Sequence, residues 1–255
     1  LSKTTNKTII YITDSVLNEE IARACRTQLV NVAGDIPIIS VSQKPLDLGL
    51  NINMGDIGRN WYNIYVQQLE GLKQATTEFV MIAEHDVMYT KEHIDWIPPD
   101  NKTFWYNTNC WFVQWGGNHP ELNGMYSYWN DDRKALSQLV CDRKLLIESI
   151  EDRMFFLEGG LRILKRLGEP GAFPPEVVEA ARIAVSGECK YLQPYLEKHL
   201  AKFKCDTFKT KQPNLDIRHG SNFTGPRRGK NRRYELEPWG KFETVMEEYS
   251  HVAQQ

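Results

Sequence analysis

The stretch Phe79-Val80-Met81-Ile82-Ala83-Glu84-His85-Asp86 changes character at one residue, where five apolar side chains run into two acids separated by a histidine. An apolar run of this length without polar alternation predicts a strand buried on both faces, as in a parallel sheet covered by helices on either side. Its acidic end then falls where such a sheet opens to solvent. Just upstream, Tyr62, Ile64, Tyr65, Leu69 and Leu72 recur at helical spacing and predict a helix from Trp61 to Ala75.

Toward the N-terminus the same alternation has already occurred. Thr8 to Thr13 (TIIYIT) reads as a strand, with Asp14-Ser15 placed to cap a helix over Asn18 to Val32. Ile36 to Val41 is a second apolar run; it ends in Ser42-Gln43-Lys44-Pro45, and a loop rich in Gly, Asn and Asp follows from Leu46 to Asn60. Strand–helix alternation predicts an α/β fold with a mostly parallel sheet, in which ligands gather beyond the carboxyl ends of the strands. Thr13, Asp14, Ser42, Gln43 and Glu84 to Asp86 all fall there.

Toward the C-terminus, an aromatic-rich strand region (Thr103 to Trp115) follows Pro98-Pro99, and a turn-rich stretch runs from Gly116 to Gly124. Asp132 to Phe156 reads as one helix, with Leu136, Leu139, Leu145, Leu146, Ile150 and Met154 on its apolar stripe. Gly168-Glu169-Pro170-Gly171 is a loop by composition, and Pro175 to Phe203 is mostly helical with a break near Gly187. A last strand, Leu215 to Arg218, leads into His219-Gly220.

A chain of 255 residues can bury a substantial core, and one large domain with appendages is the expected organisation. Hydrophobic residues at 41% and charged residues at 25% exclude a wholly disordered or collagen-like protein. With a net charge of −2 there is no global attraction to nucleic acid or anionic membrane, so any such affinity must come from a local cluster. The 5 cysteines lack a CxxC pair, which argues against a disulfide framework or zinc ribbon and predicts a reducing, cytoplasmic setting. No apolar run is long enough for a membrane span, and no secretory signal is recognisable.

Glu84 and Asp86, one residue apart at the end of a buried strand, offer oxygen ligands to a hard cation such as Mn²⁺ or Mg²⁺, although carboxylate pairs also occupy solvated turns. The segment Thr8 to Tyr89 resembles the nucleotide-sugar-binding half of GT-A glycosyltransferases: strand to Thr13-Asp14, strand to Ser40–Gln43, the loop Gly55-Asp56-Ile57-Gly58-Arg59-Asn60, helix, strand, acidic motif. In that family the motif is usually Asp-x-Asp. Here it is Glu84-His85-Asp86, which keeps the charge and leaves open which acid binds metal directly.

The resemblance implies a GT-A domain over 1–225, with a nucleotide-sugar half at 8–115, an acceptor side at 116–225 and a basic extension at 226–255. It implies a nucleotide-sugar donor, a UDP-sugar first, contacted by Thr13, Asp14, Ser42, Gln43, Gly58 and Arg59. His85 packs sideways or orients a partner. His219, just beyond a late strand, matches the family's additional metal ligand, or is a turn histidine. The loop at 55–60 lacks GxGxxG spacing and does not follow the first strand, which excludes a dinucleotide fingerprint; it is otherwise a glycine-rich surface turn.

In an inverting enzyme a carboxylate takes the acceptor proton. Glu169 lies where inverting members carry that base, Glu188 is its rival, and either can be a solvated loop acid. Trp105, Tyr106, Trp111, Trp115, Tyr126, Tyr128 and Trp129 are core residues or stacking platforms, with those beside Gly116-Gly117 and Gly124 the better placed for an acceptor. Arg227, Arg228, Lys230, Arg232 and Arg233 form a solvated tail, a lid on the donor diphosphate, or a patch for a phosphate backbone. Together with His219 to Gly225, this run resembles the ending of phage-associated glycosyltransferases that modify hydroxymethylated DNA bases, which implies a hydroxymethylpyrimidine such as 5-hydroxymethylcytosine in DNA as acceptor. The alternatives are a carbohydrate or small-molecule acceptor, or a nucleotide- or nucleic-acid-binding module without catalysis.

Overall fold

In the computed structural model residues 6–128, 132–161, 168–187, 189–222, 229 and 231–250 are described. The first half alternates as its apolar runs dictate: β1 (Lys7–Thr13), α1 (Glu19–Ala33), β2 (Ile38–Ser42), β3 (Leu50–Asn53), α2 (Trp61–Gln74), β4 (Phe79–Glu84), β5 (Val87–Met88) and the short α3 (Lys91–Asp95). There follow β6 (Thr103–Asn107), β7 (Cys110–Gln114), β8 (Tyr126–Tyr128), β9 (Leu139–Asp142), α4 (Arg143–Glu158), α5 (Pro175–Ser186), α6 (Gln193–Lys202), β10 (Lys204–Phe208), β11 (Asn214–Arg218), β12 (Asn231–Arg233) and α7 (Phe242–Ser250).

A 7-stranded sheet has the order β10-β6-β9-β4-β1-β2-β3, and a 5-stranded sheet the order β12-β8-β7-β11-β5. β1 lies parallel to β2 and β4, β2 to β3, and β6 to β10; β9 is inserted antiparallel between β4 and β6. The chain is therefore an α/β fold built on a mostly parallel sheet flanked by helices, as its strand–helix alternation predicts.

Strand alternation explains why the central runs are apolar throughout. Ile10, Ile12, Val80 and Ile82 face Leu69 and Leu72 of α2 and Leu146 and Ile150 of α4, while Ile9, Tyr11, Met81 and Ala83 face Leu29 of α1 on the other side. Each fully buried Ile or Leu contributes about 1.5–3 kcal/mol relative to exposure. Gly71 lets α2 lie close on the sheet: a Cβ there would sit 2.7 Å from Ile10 Cγ2 and 3.0 Å from Val41 Cγ2. That approach brings Gln67, one turn earlier, against the ends of β1 and β2, where it donates to Thr13 O at 2.8 Å and Val41 O at 3.3 Å.

Several local expectations give way to tertiary context. The cap of α1 is Asn18, whose Oδ1 accepts from Glu20 N at 2.9 Å and Ile21 N at 3.4 Å; Asp14 instead accepts from Val16 N within its own turn. The loop expected over Leu46 to Asn60 contains the edge strand β3, too polar to signal itself. The helix expected over Asp132 to Phe156 begins only at Arg143. Leu139, Val140 and Cys141 are wholly buried between two neighbouring strands as β9, and Asp142 ends that strand by capping α4 through Leu145 N at 2.8 Å. Thr103 to Trp115 divides into β6 and β7, which belong to different sheets. Of the segment 226–255, β12 pairs antiparallel with β8, and Phe242, Val245 and Met246 of α7 join Ile21, Ala24 and Cys25 of α1 in the core of the second sheet.

Candidate functional site

The carboxyl ends of β1, β2 and β4 converge with the end of β11 on one cleft. Thr13, Asp14, Gln43, Gly58, Arg59, Glu84, His85 and Asp86 all line it, joined by Asn63, Gln67, Asp216, Arg218 and Asn222. The turn after β1 is shaped by Ser15, a non-glycine residue at φ 59. A left-handed conformation of this kind costs a serine energy and recurs at functional loops. Here its N–H donates to Thr13 Oγ1 at 3.0 Å and its Oγ accepts from Gln43 N at 3.2 Å, which ties the ends of β1 and β2 together. Ser42 lies behind this rim: it is buried, and its hydroxyl donates to Lys44 O at 2.6 Å and accepts from Asn51 Nδ2 at 2.9 Å.

The glycine loop is held against the same rim. Gln43 Nε2 donates to Gly58 O at 2.9 Å, Asn63 Nδ2 donates to Gly58 O at 3.2 Å, and Arg59 Nε pairs with Asp14 Oδ2 at 2.6 Å. Arg59 also donates to Ser221 O, which links the loop to the turn after β11.

At the floor, His85 Nδ1 lies 2.7 Å from Thr13 Oγ1 and 3.6 Å from Asp14 Oδ1. Asp86 Oδ2 lies 3.3 Å from His219 Nε2 and accepts from Asn222 Nδ2 at 3.0 Å. Asn222 Oδ1 in turn accepts from His219 N at 2.6 Å, and Ser221 Oγ lies 2.9 Å from His219 Nδ1. One donor atom each from His85, Asp86 and His219 lie within 4.8 Å of one another, a span that one metal ion can bridge. Glu84 lines the same cleft, with its backbone N–H donating to Tyr89 Oη at 3.0 Å.

Four carboxyl groups, Asp14, Glu84, Asp86 and Asp216, line the cleft together with Arg59 and Arg218. Burial first, then the charges of Asp86, Asp216 and Glu169, push the Glu84 carboxyl up to about 8. Burial would raise Asp86 as well, but its hydrogen bond to His219 and the charges of His85 and His219 outweigh it and hold that carboxyl below the usual range. Burial lowers the His85 imidazole below its ordinary value, against smaller upward pulls from the charges of Asp86 and Asp14. Arg133 Nη2 and Arg218 Nη1 both pair with Asp216, at 2.6 and 3.0 Å.

Glu169 stands apart from these groups, in a neighbouring groove with Lys134, Phe173 and Cys205, yet near enough for its charge to act on Glu84. Its turn is fixed: Pro170 O accepts from Tyr106 Oη at 2.7 Å and Gly168 O from Arg153 Nη1 at 2.9 Å. Glu188, Arg227, Arg228, Lys230 and Trp129 lie outside the described residues. Arg232 and Arg233 are exposed on β12, and Arg233 covers the Trp111 ring at 4.4 Å. Tyr106, Trp111 and Tyr126 are buried, and Trp115 and Tyr128 pack half-buried against the second core, so these aromatics serve packing.

Gln67, Asn63, Asp216, Arg218 and Asn222 were not singled out from sequence. Asp216 and Arg218 carried a usable signal, since two opposite charges at i and i+2 in an apolar strand share one face.

No family model matches the chain, and no curated protein matches it. Among solved structures, the chain is similar to the bifunctional IspDF from Campylobacter jejuni at 12% identity and TM-score 0.39, over 81% of this chain and 50% of that one. It is similar to TarS from S. aureus at 12% identity and TM-score 0.37, over 83% and 60%, and to the glycosyltransferase GlyE of Streptococcus pneumoniae TIGR4 at 12% identity and TM-score 0.45, over 96% and 60%. The chain thus spans from 50% to 60% of the length of these structures.

Proposed function

We propose that this cleft binds a nucleotide-sugar together with a divalent cation and transfers the sugar to an acceptor hydroxyl, as a GT-A glycosyltransferase does. One observation carries the reading: Asp86, His85 and His219 bring a carboxylate and two imidazoles within 4.8 Å at the carboxyl end of a parallel sheet, beside a carboxyl that burial and its neighbours force up to about 8. A cation held by these three side chains would add positive charge beside the Glu84 carboxyl and could take phosphate oxygens as further ligands. The two imidazoles favour Mn²⁺ over Mg²⁺, which prefers an all-oxygen shell.

Gly58, Arg59, Gln43 and Asn63 then face the nucleoside and phosphates, the backbone at Gly58 allowing close approach and Arg59 supplying a guanidinium. His85, Asp86 and His219 would hold the cation, which would supply positive charge to offset that developing on the departing diphosphate. The acceptor oxygen bonds to the anomeric carbon, the bond from that carbon to the diphosphate oxygen breaks, the diphosphate leaves with the electron pair, and the acceptor proton passes to Glu169. A UDP-sugar is the donor in this reading. A hydroxymethylpyrimidine in DNA draws support as acceptor from the charge of the run at 227–233, of which no described residue lines the cleft.

Calorimetric titration of UDP with and without Mn²⁺, followed by a screen of nucleotide-sugars for hydrolysis, tests the proposal. Binding that requires the cation and is lost in chelator is expected; binding indifferent to the cation would remove its basis.

A further inference from the structure

The turn that carries Glu169 is held on both sides by side chains that line no described cavity. Gly168 O, just before Glu169, accepts from Arg153 Nη1 at 2.9 Å, and Pro170 O, just after it, accepts from Tyr106 Oη at 2.7 Å. We propose that Arg153 and Tyr106 are positioning residues that fix Glu169 relative to the donor cleft. The proposal rests on Glu169 being the proton acceptor of the transfer described above.

The cost of Arg153 argues against packing as its whole role. It is 1% exposed on α4, and its Nε and Nη2 are buried without a hydrogen-bond partner. Among the described residues no carboxylate forms an ion pair with it. A buried charge of this kind is expensive, and a well-packed apolar side chain in its place is often neutral or stabilising.

What the guanidinium makes instead is a bridge. The Nη1 that donates to Gly168 O also lies 3.2 Å from Tyr65 Oη, on α2 between Asn63 and Gln67, which line the donor cleft. One nitrogen therefore joins the helix beside the donor to the turn that carries Glu169. The guanidinium also lies 5.9 Å from the ring of Phe173, a wall of the groove that holds Glu169. The Tyr106 ring packs in the core of the first sheet, and its hydroxyl serves the turn.

The turn has little freedom left. Ala172 N closes it by donating to Glu169 O at 2.9 Å, and Gly168 sits at φ 92, where a Cβ would meet Ala172 O at 2.2 Å. With the carbonyls on either side pinned as well, the Glu169 backbone is fixed and only its side-chain torsions remain. Its charge reaches Glu84 in the donor cleft. A misplacement of about 1 Å in a reacting group can cost about a hundredfold in rate, so a clamp on this turn bears on turnover.

Turnover is read as UDP release from UDP-glucose, UDP-galactose and UDP-N-acetylglucosamine in Mn²⁺, with water as acceptor. The water oxygen bonds to the anomeric carbon, the bond to the diphosphate oxygen breaks with its electron pair going to the diphosphate, and a water proton passes to Glu169. Tyr106→Phe and Arg153→Met are measured alone and combined with Glu169→Gln. If Arg153→Met does not fold, Tyr65→Phe, which removes only the α2 end of the bridge, replaces it.

Each single change should lower kcat about tenfold, while donor KM and calorimetric UDP affinity stay within about twofold. Neither should lower kcat further in the Glu169→Gln background, where nothing remains to be positioned. Losses that multiply with that of Glu169→Gln, a fall in UDP affinity matching the fall in kcat, or wild-type kcat in the single variants would each overturn the proposal. Undiminished turnover by Glu169→Gln overturns instead the role of Glu169 on which it rests, and no UDP release by wild-type protein overturns the transferase reading. Both are seen before either positioning residue is changed.

Discussion

The two ends of β1 handle buried charge in opposite ways. At its start, Lys7 is 1% exposed and its ammonium donates to Ile94 O and to Trp96 O, the latter at 2.6 Å, carbonyls left open at the end of α3. The charge is absorbed by the fold, and no described cavity reaches it. At its end, Asp14 pairs with Arg59 and faces His85, with Glu84 and Asp86 beside them, and burial together with the neighbouring carboxylates raises the Glu84 carboxyl to about 8. The first arrangement is closed and structural. The second is open to a cleft and brings donor atoms of His85, Asp86 and His219 within 4.8 Å of one another, which makes it a site where a ligand is expected.

The difference is broken most forcefully at Asp86. Asp86→Asn keeps the shape and removes a charge from the donor set, so Mn²⁺ affinity and donor turnover should fall together, turnover by about a thousandfold, the scale of several kcal/mol of lost charge stabilisation. Glu84→Gln should be milder, since that carboxyl is already pushed up to about 8. Full turnover of Asp86→Asn in chelator would show that the open end holds no cation.

Glu169→Gln probes chemistry apart from binding. If Glu169 is the proton acceptor, transfer should fall about a hundredfold while calorimetric UDP affinity stays within about twofold, the pattern for loss of general-base help. Equal transfer by the variant would move the role to Glu188 or to a mechanism without a base.

At the closed end the expected effect is on stability. Burial pulls Lys7 down to about 8, below its ordinary 10.5, against a smaller upward pull from Asp95. Between these values the unfolded chain binds more protons than the folded one, so this group adds stability as pH rises from about 8 to 10.5, by up to about 3 kcal/mol. Burial raises the thiols of Cys25 and Cys141, whose contribution has the opposite sign in the same window. Denaturant unfolding of wild type and Lys7→Met at pH 8 and pH 10 isolates the lysine: the wild type should gain relative to the variant. A parallel pH response would mean that the Lys7 charge is not held as the contacts imply.

Much of the closed architecture was legible in sequence because apolar runs report burial directly. β1, β4, α2 and β11 were each found to within 1 or 2 residues for that reason. β9 was not, because Leu139 and Leu146 fall on a helical stripe as readily as on a strand followed by a helix, and only the neighbours β4 and β6 decide between them. The acidic motif announced the cleft, but its far wall did not announce itself. Asn222 reaches Asp86 across 136 positions of sequence, and no local pattern encodes such a contact. Of the basic run, charge alone was visible; the pairing of β12 with β8 and the contact of Arg233 with Trp111 depend on the second sheet.

That run gives the smallest effect and the sharpest discrimination between acceptors. If Arg232 and Arg233 neutralise DNA phosphates, replacing both by alanine should flatten the log–log dependence of DNA affinity on salt by about one unit per lost contact. If they close over the donor diphosphate, the same changes should weaken UDP binding and leave DNA binding alone. If the run is a solvated appendage, neither slope nor UDP affinity should move, and the double variant should lose only the cation–π contact between Arg233 and the Trp111 ring at 4.4 Å. An exposed contact of that kind contributes about 0.5–1 kcal/mol. Chemical unfolding should therefore register a small loss of stability while both binding measurements stay flat, and a salt slope reduced by about two units would return the acceptor to DNA.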